Sequence, residues 1–196
     1  DGGVLGKIAV VNTVLLALLL GCSGEGDVVS IAVPGKHREI AQTPGSGDGP
    51  SIGIYPFKDV RRDKPQLGSR IGRFGALDGY VFEVEGGRVG PSLAEAMEEY
   101  LMEKGWHVVH MPEGGDNQPD IVLEGEVRQF YIEGLNNWFT TTIRCQVNML
   151  VSGHQGLDGS RIEVPLAAER VREVRWFDPL EVQAVVDEVL EDAYGQ

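Results

Sequence analysis

The chain has 196 residues, enough for one domain with a substantial core plus extensions. Seventeen Lys and Arg stand against 30 Asp and Glu, a formal net charge of -13. That balance argues against nucleic acid as a partner, because a phosphate backbone needs concentrated cations, and against a surface lying flat on anionic lipid. Two cysteines, Cys22 and Cys145, are too few for a disulfide framework.

The first feature along the chain is the apolar run Ile8 to Leu20, interrupted by Asn12 and Thr13. It falls short of the roughly 20 residues that cross a hydrocarbon core. Being apolar on every side, it does not read as an amphipathic core helix either. Its length fits the hydrophobic region of a secretory signal, with Lys7 as the only cation ahead of it. The run ends in "LLGC", Leu19 to Cys22, which resembles the lipobox of bacterial lipoproteins. The chemistry suits the residues, since a thiol is the nucleophile that takes a lipid and a small Gly21 lets a peptidase approach. The resemblance implies cleavage before Cys22, a diacylglycerol thioether on its sulfur and an acyl chain on its amine. Two or more chains make attachment stable, where one anchors only marginally. Ser23 after the cysteine implies, by the enterobacterial pattern, export to the outer membrane, facing the periplasm. An ordinary signal with a chance cysteine, or a short anchor helix, is the alternative.

From these marks the chain divides into a leader (1–21), a lipidated cysteine with a flexible tether (22–50) and a single folded domain (51–196). The tether ends in "TPGSGDGP", too poor in bulky apolar residues to fold alone. Within it, "VVSIAV", Val28 to Val33, is expected to form a short strand docking on an edge of the domain.

In the folded part, "SIGIYPF" from Ser51 reads as a short strand ending at Pro56. The glycine-rich stretch from Lys64 to Gly90 lacks a phosphate-binding frame. With the residues just before it, it gathers Arg61, Arg62, Arg70 and Arg73 in an acidic chain. Two readings stand there: a surface loop whose arginines pair with local carboxylates, or a binding loop for an anionic partner. Ser92 then predicts a helix N-cap, with Glu95 completing a capping box, and Gly105 predicts the stop. "WHVVHM" follows as a strand. "DIVLEGEVRQFYIE" and "WFTTTIRCQVNMLV" read as a strand pair turning at "GLNN", with Cys145 pointing inward as an inert thiol. "RIEVPLAAERVREV" is a further strand, placed at an edge or bulge by Pro165. A last helix is capped by Asp178 and Pro179 and buries Val182, Val185, Val189 and Leu190. The expected class is α+β, a mostly antiparallel sheet of about five strands with two helices packed on one face.

The four histidines are scattered along the same path. His107 and His110 are three apart on a strand and face opposite sides, His37 lies in the tether and His154 in a turn. Glu124 and Glu126 share one strand face, an arrangement that exposed acids of an acidic protein adopt without catalysis. Trp106, Trp138 and Trp176 sit beside strand or helix ends, where core or interface packing is expected. No cofactor or metal site is called for.

The order of motifs resembles the YajG-type family of uncharacterised bacterial lipoproteins: a lipobox, "VVSIAVP", "IGIYPFKDVR", "LAEAMEEYLMEKGWHV", "DIVLEGEVRQFY", a long strand pair and a terminal "EVQAVVDEVLEDA" helix. Only Cys22 carries over from that family as a functional residue. The resemblance implies a non-enzymatic, lipid-anchored binding or scaffolding module of the cell envelope, held to the membrane through Cys22 and meeting an envelope protein partner. An auxiliary lipoprotein of a transport or secretion complex is the alternative, and a periplasmic hydrolase using Glu124 and Glu126 a third class.

Overall fold

The structure, a computed structural model, describes residues 26–33, 49–72, 75, 77–111, 119–155 and 160–196. Cys22, His37, Arg73 and the leader lie outside the described residues, as does most of the 22–50 segment.

Strand β7 (Ile121–Asn136) is the spine of the sheet. One of its edges pairs antiparallel with β8 (Thr141–Gln155) along the whole length, from Ile121 opposite Gln155 to Asn136 opposite Thr141. The other edge is shared end to end by three short strands, all parallel to it: β2 (Ser51–Ile54), β3 (Lys58–Asp59) and β4 (Gly68–Ile71). Beyond β2 lies β6 (His107–His110), parallel. Beyond β4 lie β5 (Leu77–Val84), antiparallel, and then β1 (Asp27–Ile31), parallel to β5. β9 (Arg161–Val174) lies antiparallel on the far side of β8.

This corrects the expected sheet. Among the described residues there are nine strands in one mixed sheet, with five parallel pairings, rather than about five mostly antiparallel strands. The reason is physical. The strands beyond that count include β3 and β4, two and four residues long, which pair in parallel with β7 more than sixty residues on, so no local hairpin turn announces those pairings. The expected edge strand at Val28–Val33 is present as β1.

β8 forms because its side chains alternate: Ile143, Cys145, Val147, Met149 and Val151 are buried, while Arg144 and Asn148 between them are exposed. Two helices cover the inward face. Helix α1 (Val89–Glu103) starts three residues before the expected cap, so Ser92 is buried inside its first turn and makes no cap. Gly90 permits this start, since a Cβ there would meet the Phe57 carbonyl oxygen at 2.0 Å. The helix ends as expected: Gly105 has φ +87°, its N–H donates to the Met102 carbonyl, and the Trp106 N–H donates to that of Leu101. Helix α2 (Pro179–Tyr194) starts as the sequence says, with the Asp178 side chain accepting from the Leu180 N–H at 2.9 Å. It buries Val182, Val185, Val186, Val189, Leu190 and Ala193 against β8 and β9. At about 1.5 kcal/mol per fully buried valine, that stripe carries far more stability than the cap.

β9 pairs only with β8 among the described residues, the edge position that Pro165 suggests. Part of that edge is covered by the Gln196 side-chain amide, which accepts from the Ala167 N–H and donates to its carbonyl, as a neighbouring strand would.

Cys145 is fully buried, and desolvation pushes its thiol up to about 12. Alkylation near pH 8 is therefore expected to leave it unmodified in the native chain and to modify it in denaturant, read by intact mass. Equal labelling in both states would contradict the packing.

Candidate functional site

Two adjoining hollows lie along β7. The first, about 560 Å³, is lined by Val60 to Asp63, Gln66 to Gly68 and Arg128 to Tyr131. The second, about 590 Å³, is lined by Tyr55, Pro56, Lys58, Glu124 to Glu126, Arg128, Leu150, Ser152, Arg161 and Glu163. Both have the size of small-ligand sites. Arg128 lines both, which makes them one trough.

Arg128 stands there because of a β-bulge. Val127 opposes Met149 and Gln129 opposes Asn148, so Arg128 is the extra residue on β7. A bulge re-aims a side chain and bends the strand. It also switches the buried parity of β7 from Gly125 and Val127 to Phe130, Ile132 and Gly134. The sequence signal for it is two consecutive polar residues, Arg128 and Gln129, between Val127 and Phe130, a break in the strand's alternation that no motif marks.

Glu124 and Glu126 do share the trough, but not alone. Lys58, Arg128 and Arg161 balance them and Glu163, with Glu126 at 3.9 Å from Arg128 and Glu163 at 3.2 Å from Arg161. The Arg161 guanidinium also donates to the Ser152 hydroxyl at 2.9 Å. The hollow therefore mixes charges of both signs drawn from β3, β7 and β9.

The arginines grouped by sequence are dispersed by the fold. Arg61 is buried and clamps the Asp59 carboxylate through two hydrogen bonds of 3.0 Å, while its remaining nitrogen reaches the carbonyls of Gln66 and Phe130 at 3.2 and 3.3 Å. Arg70 lies against aromatic rings, 4.7 Å from the Phe177 centroid and 5.7 Å from that of Tyr80. Arg62 is exposed at the rim of the trough. Of the four, Arg61 and Arg62 line the trough, and Arg73 lies outside the described residues.

His107 and His110 are both exposed, and His110 Nδ1 is 3.1 Å from a Glu98 carboxylate oxygen. Burial raises that carboxyl, and the contact with His110 opposes the rise without cancelling it. Among the described residues, no three His, Cys, Asp or Glu side chains are placed to share a metal ion. No described helix is long and apolar enough to cross a membrane. Trp106, Trp138 and Trp176 are exposed rather than packed in the core.

No family model matches the chain, and no curated protein does. Among solved structures, it is similar to protein XCC0632 from Xanthomonas campestris, of the DUF330 family. The two are 12% identical over 86% of this chain and 90% of that one, with a TM-score of 0.51. It is more distantly similar to the lipoprotein GNA1162 from Neisseria meningitidis, at 12% identity over 76% of this chain and 100% of that one, TM-score 0.39. The first likeness shows a shared fold.

Proposed function

We propose that the chain is a non-enzymatic, lipid-anchored lipoprotein of the bacterial cell envelope, whose folded head binds an envelope protein through the trough around Arg128. The observation that carries this reading is the position of β1. Among the described residues the sheet begins at Asp27, with Ser23 to Gly26 between the lipobox cysteine and that strand in the sequence. A head joined so directly to Cys22 fits a protein that works from a membrane surface. The lipobox supports acyl chains on Cys22, and Ser23 supports outer-membrane placement facing the periplasm. The order of β1, β2, α1, β7 and α2 follows the element order of the YajG-type resemblance, which supports membership of that group.

Replacing Cys22 with Ala is expected to move the head from the membrane to the soluble periplasmic fraction. A membrane partition unchanged by the substitution refutes the anchor. The trough is tested in the anchored protein by a photo-crosslinker at Gln129. The reading expects one predominant protein adduct, lost on Arg128→Glu, and an adduct containing a permease or substrate-binding protein would make the chain an auxiliary subunit of a transporter. A pattern of adducts indifferent to Arg128→Glu would remove the trough from the binding surface.

A further inference from the structure

Among the described residues, one end of the sheet carries most of the large exposed apolar side chains that lie outside the strands. The β7–β8 hairpin turns through Asn137 to Thr140, with the Asn137 N–H donating to the Thr140 carbonyl at 2.8 Å. Its two tip residues are Trp138 and Phe139, 70% and 84% exposed. Tight hairpin tips favour Asn-Gly or Asp-Gly, so turn chemistry gives no reason for a Trp-Phe pair there. Thr141 pairs with Val174, which places the connection from β9 to α2 at the same end. That connection exposes Trp176 at 80% and Leu180 at 70%.

The platform beneath them is built. Phe177, next to Trp176, turns inward onto Tyr80 (centroids 4.9 Å apart) and Phe82 (6.3 Å), with Arg70 over its ring. Asp178 fixes the first turn of α2 under Leu180. Arg175 is exposed beside Trp176.

Strand directions bring the head of β1 to this same end. Asp27 is paired with Tyr80, near the start of β5. Ile71 is paired with both Leu77 and Leu135, and Leu135 precedes the hairpin tip by three residues. Five residue steps from Cys22 to Asp27 span at most about 18 Å. We infer that Trp138, Phe139, Trp176 and Leu180 form a second membrane contact, seated at the headgroup level of the leaflet that holds the acyl chains of Cys22. This rests on the anchored reading above. The occupant is a lipid interface rather than a protein because the short spacer holds this end, and no other, against the leaflet. Tryptophan is also the side chain enriched at that depth, with its amphipathic ring, and an adjacent arginine can reach phosphate. The acidic net charge favours zwitterionic lipid, touched end-on. β7, 16 residues long, then stands away from the membrane, with Arg128 about 25 Å above the leaflet and Trp106 at the far end, about 50 Å off.

The test uses the natural lipidated protein in vesicles of phosphatidylcholine brominated on its acyl chains. Three variants each retain one tryptophan, the other two being replaced by Phe. Trp138 and Trp176 are expected to blue-shift and to lose most of their emission to bromine, while Trp106 is unaffected. A protein that floats with the vesicles yet shows Trp138 and Trp176 as insensitive as Trp106 overturns the contact and leaves the anchor standing. A change in oligomeric mass on Trp176→Ser, with no quenching, overturns it in favour of an interface between copies. A protein that does not float, with an unmodified Cys22 by mass, overturns the anchor and this contact together.

Discussion

Gly68→Ala is expected to cost the head about 4 kcal/mol, a fall of roughly 8–16 °C in Tm for a domain of this size. Two effects add at this position. Its φ of +143° lies where a side chain is strained, and a Cβ there would sit 1.9 Å from the Ile132 carbonyl oxygen. The neighbour is backbone and cannot rotate away. It is also the seam of the molecule. The Leu67 N–H donates to the Phe82 carbonyl at 2.7 Å, and the Leu67 carbonyl accepts from the Ile132 N–H at 2.8 Å. β4 therefore joins β5 and β1 to the rest of the sheet through this point. Gly87→Ala is the control, because φ is +70° there and nothing lies within 4 Å of the added carbon. That change is expected to cost about 1 kcal/mol, from backbone strain alone. Thermal or urea unfolding of the two variants reads the difference, and equal losses would mean that the close approach at β4 is wrong.

Two helix ends were legible because their signals are local, whereas the Ser92 cap expected for α1 was not used. Asp178 and Pro179 set the start of α2, and Gly105 sets the end of α1, each within a few residues of where it acts. β8 was legible for a similar reason, its alternation being a property of the strand itself. The parallel pairings were not. β1 finds β5 some fifty residues on, and the match of Asp27 with Tyr80 leaves no mark in either segment. The hairpin shows how a local signal can mislead. "GLNN" suggested a turn, yet Gly134 and Leu135 stay in the ladder opposite Ile143 and Thr142. Gly134 serves a close approach instead, since a Cβ there would meet Arg70 Cγ at 3.3 Å. The turn falls three residues later, on aromatics that the pattern placed in a strand. Of the trough, Glu124 and Glu126 were seen on one face, while Arg128 needed the bulge to be recognised.

The dispersal of the arginines changes what mutation of that segment means. A binding loop of four cations would lose affinity, and keep its stability, when any one is removed. The structure predicts otherwise for Arg61. Its side chain is 5% exposed and satisfies a carboxylate and two main-chain carbonyls at once. Breaking such a pair from one side leaves a half-buried carboxylate with only Lys64 beside it and two main-chain carbonyls without their donor, at a cost of about 2–3 kcal/mol. Arg61→Ala should lower stability by that amount. Arg62→Ala, at the exposed rim, should stay within about 0.5 kcal/mol. Acid supplies the second signature. Burial acts to raise the Asp59 carboxyl, but the hydrogen bonds and charge of Arg61, helped by Lys64, hold it below the ordinary carboxylate value. A carboxyl depressed in the folded state contributes stability that is present above its unfolded pKa and is lost as pH falls through the folded one. In Arg61→Ala only burial and Lys64 remain, so protonating Asp59 relieves the variant and the gap to wild type should narrow as pH falls through the carboxylate range. Urea unfolding of both chains at neutral and acidic pH measures that gap. A gap that is absent at neutral pH, or that widens in acid, would return Arg61 to the surface and make it available to a partner.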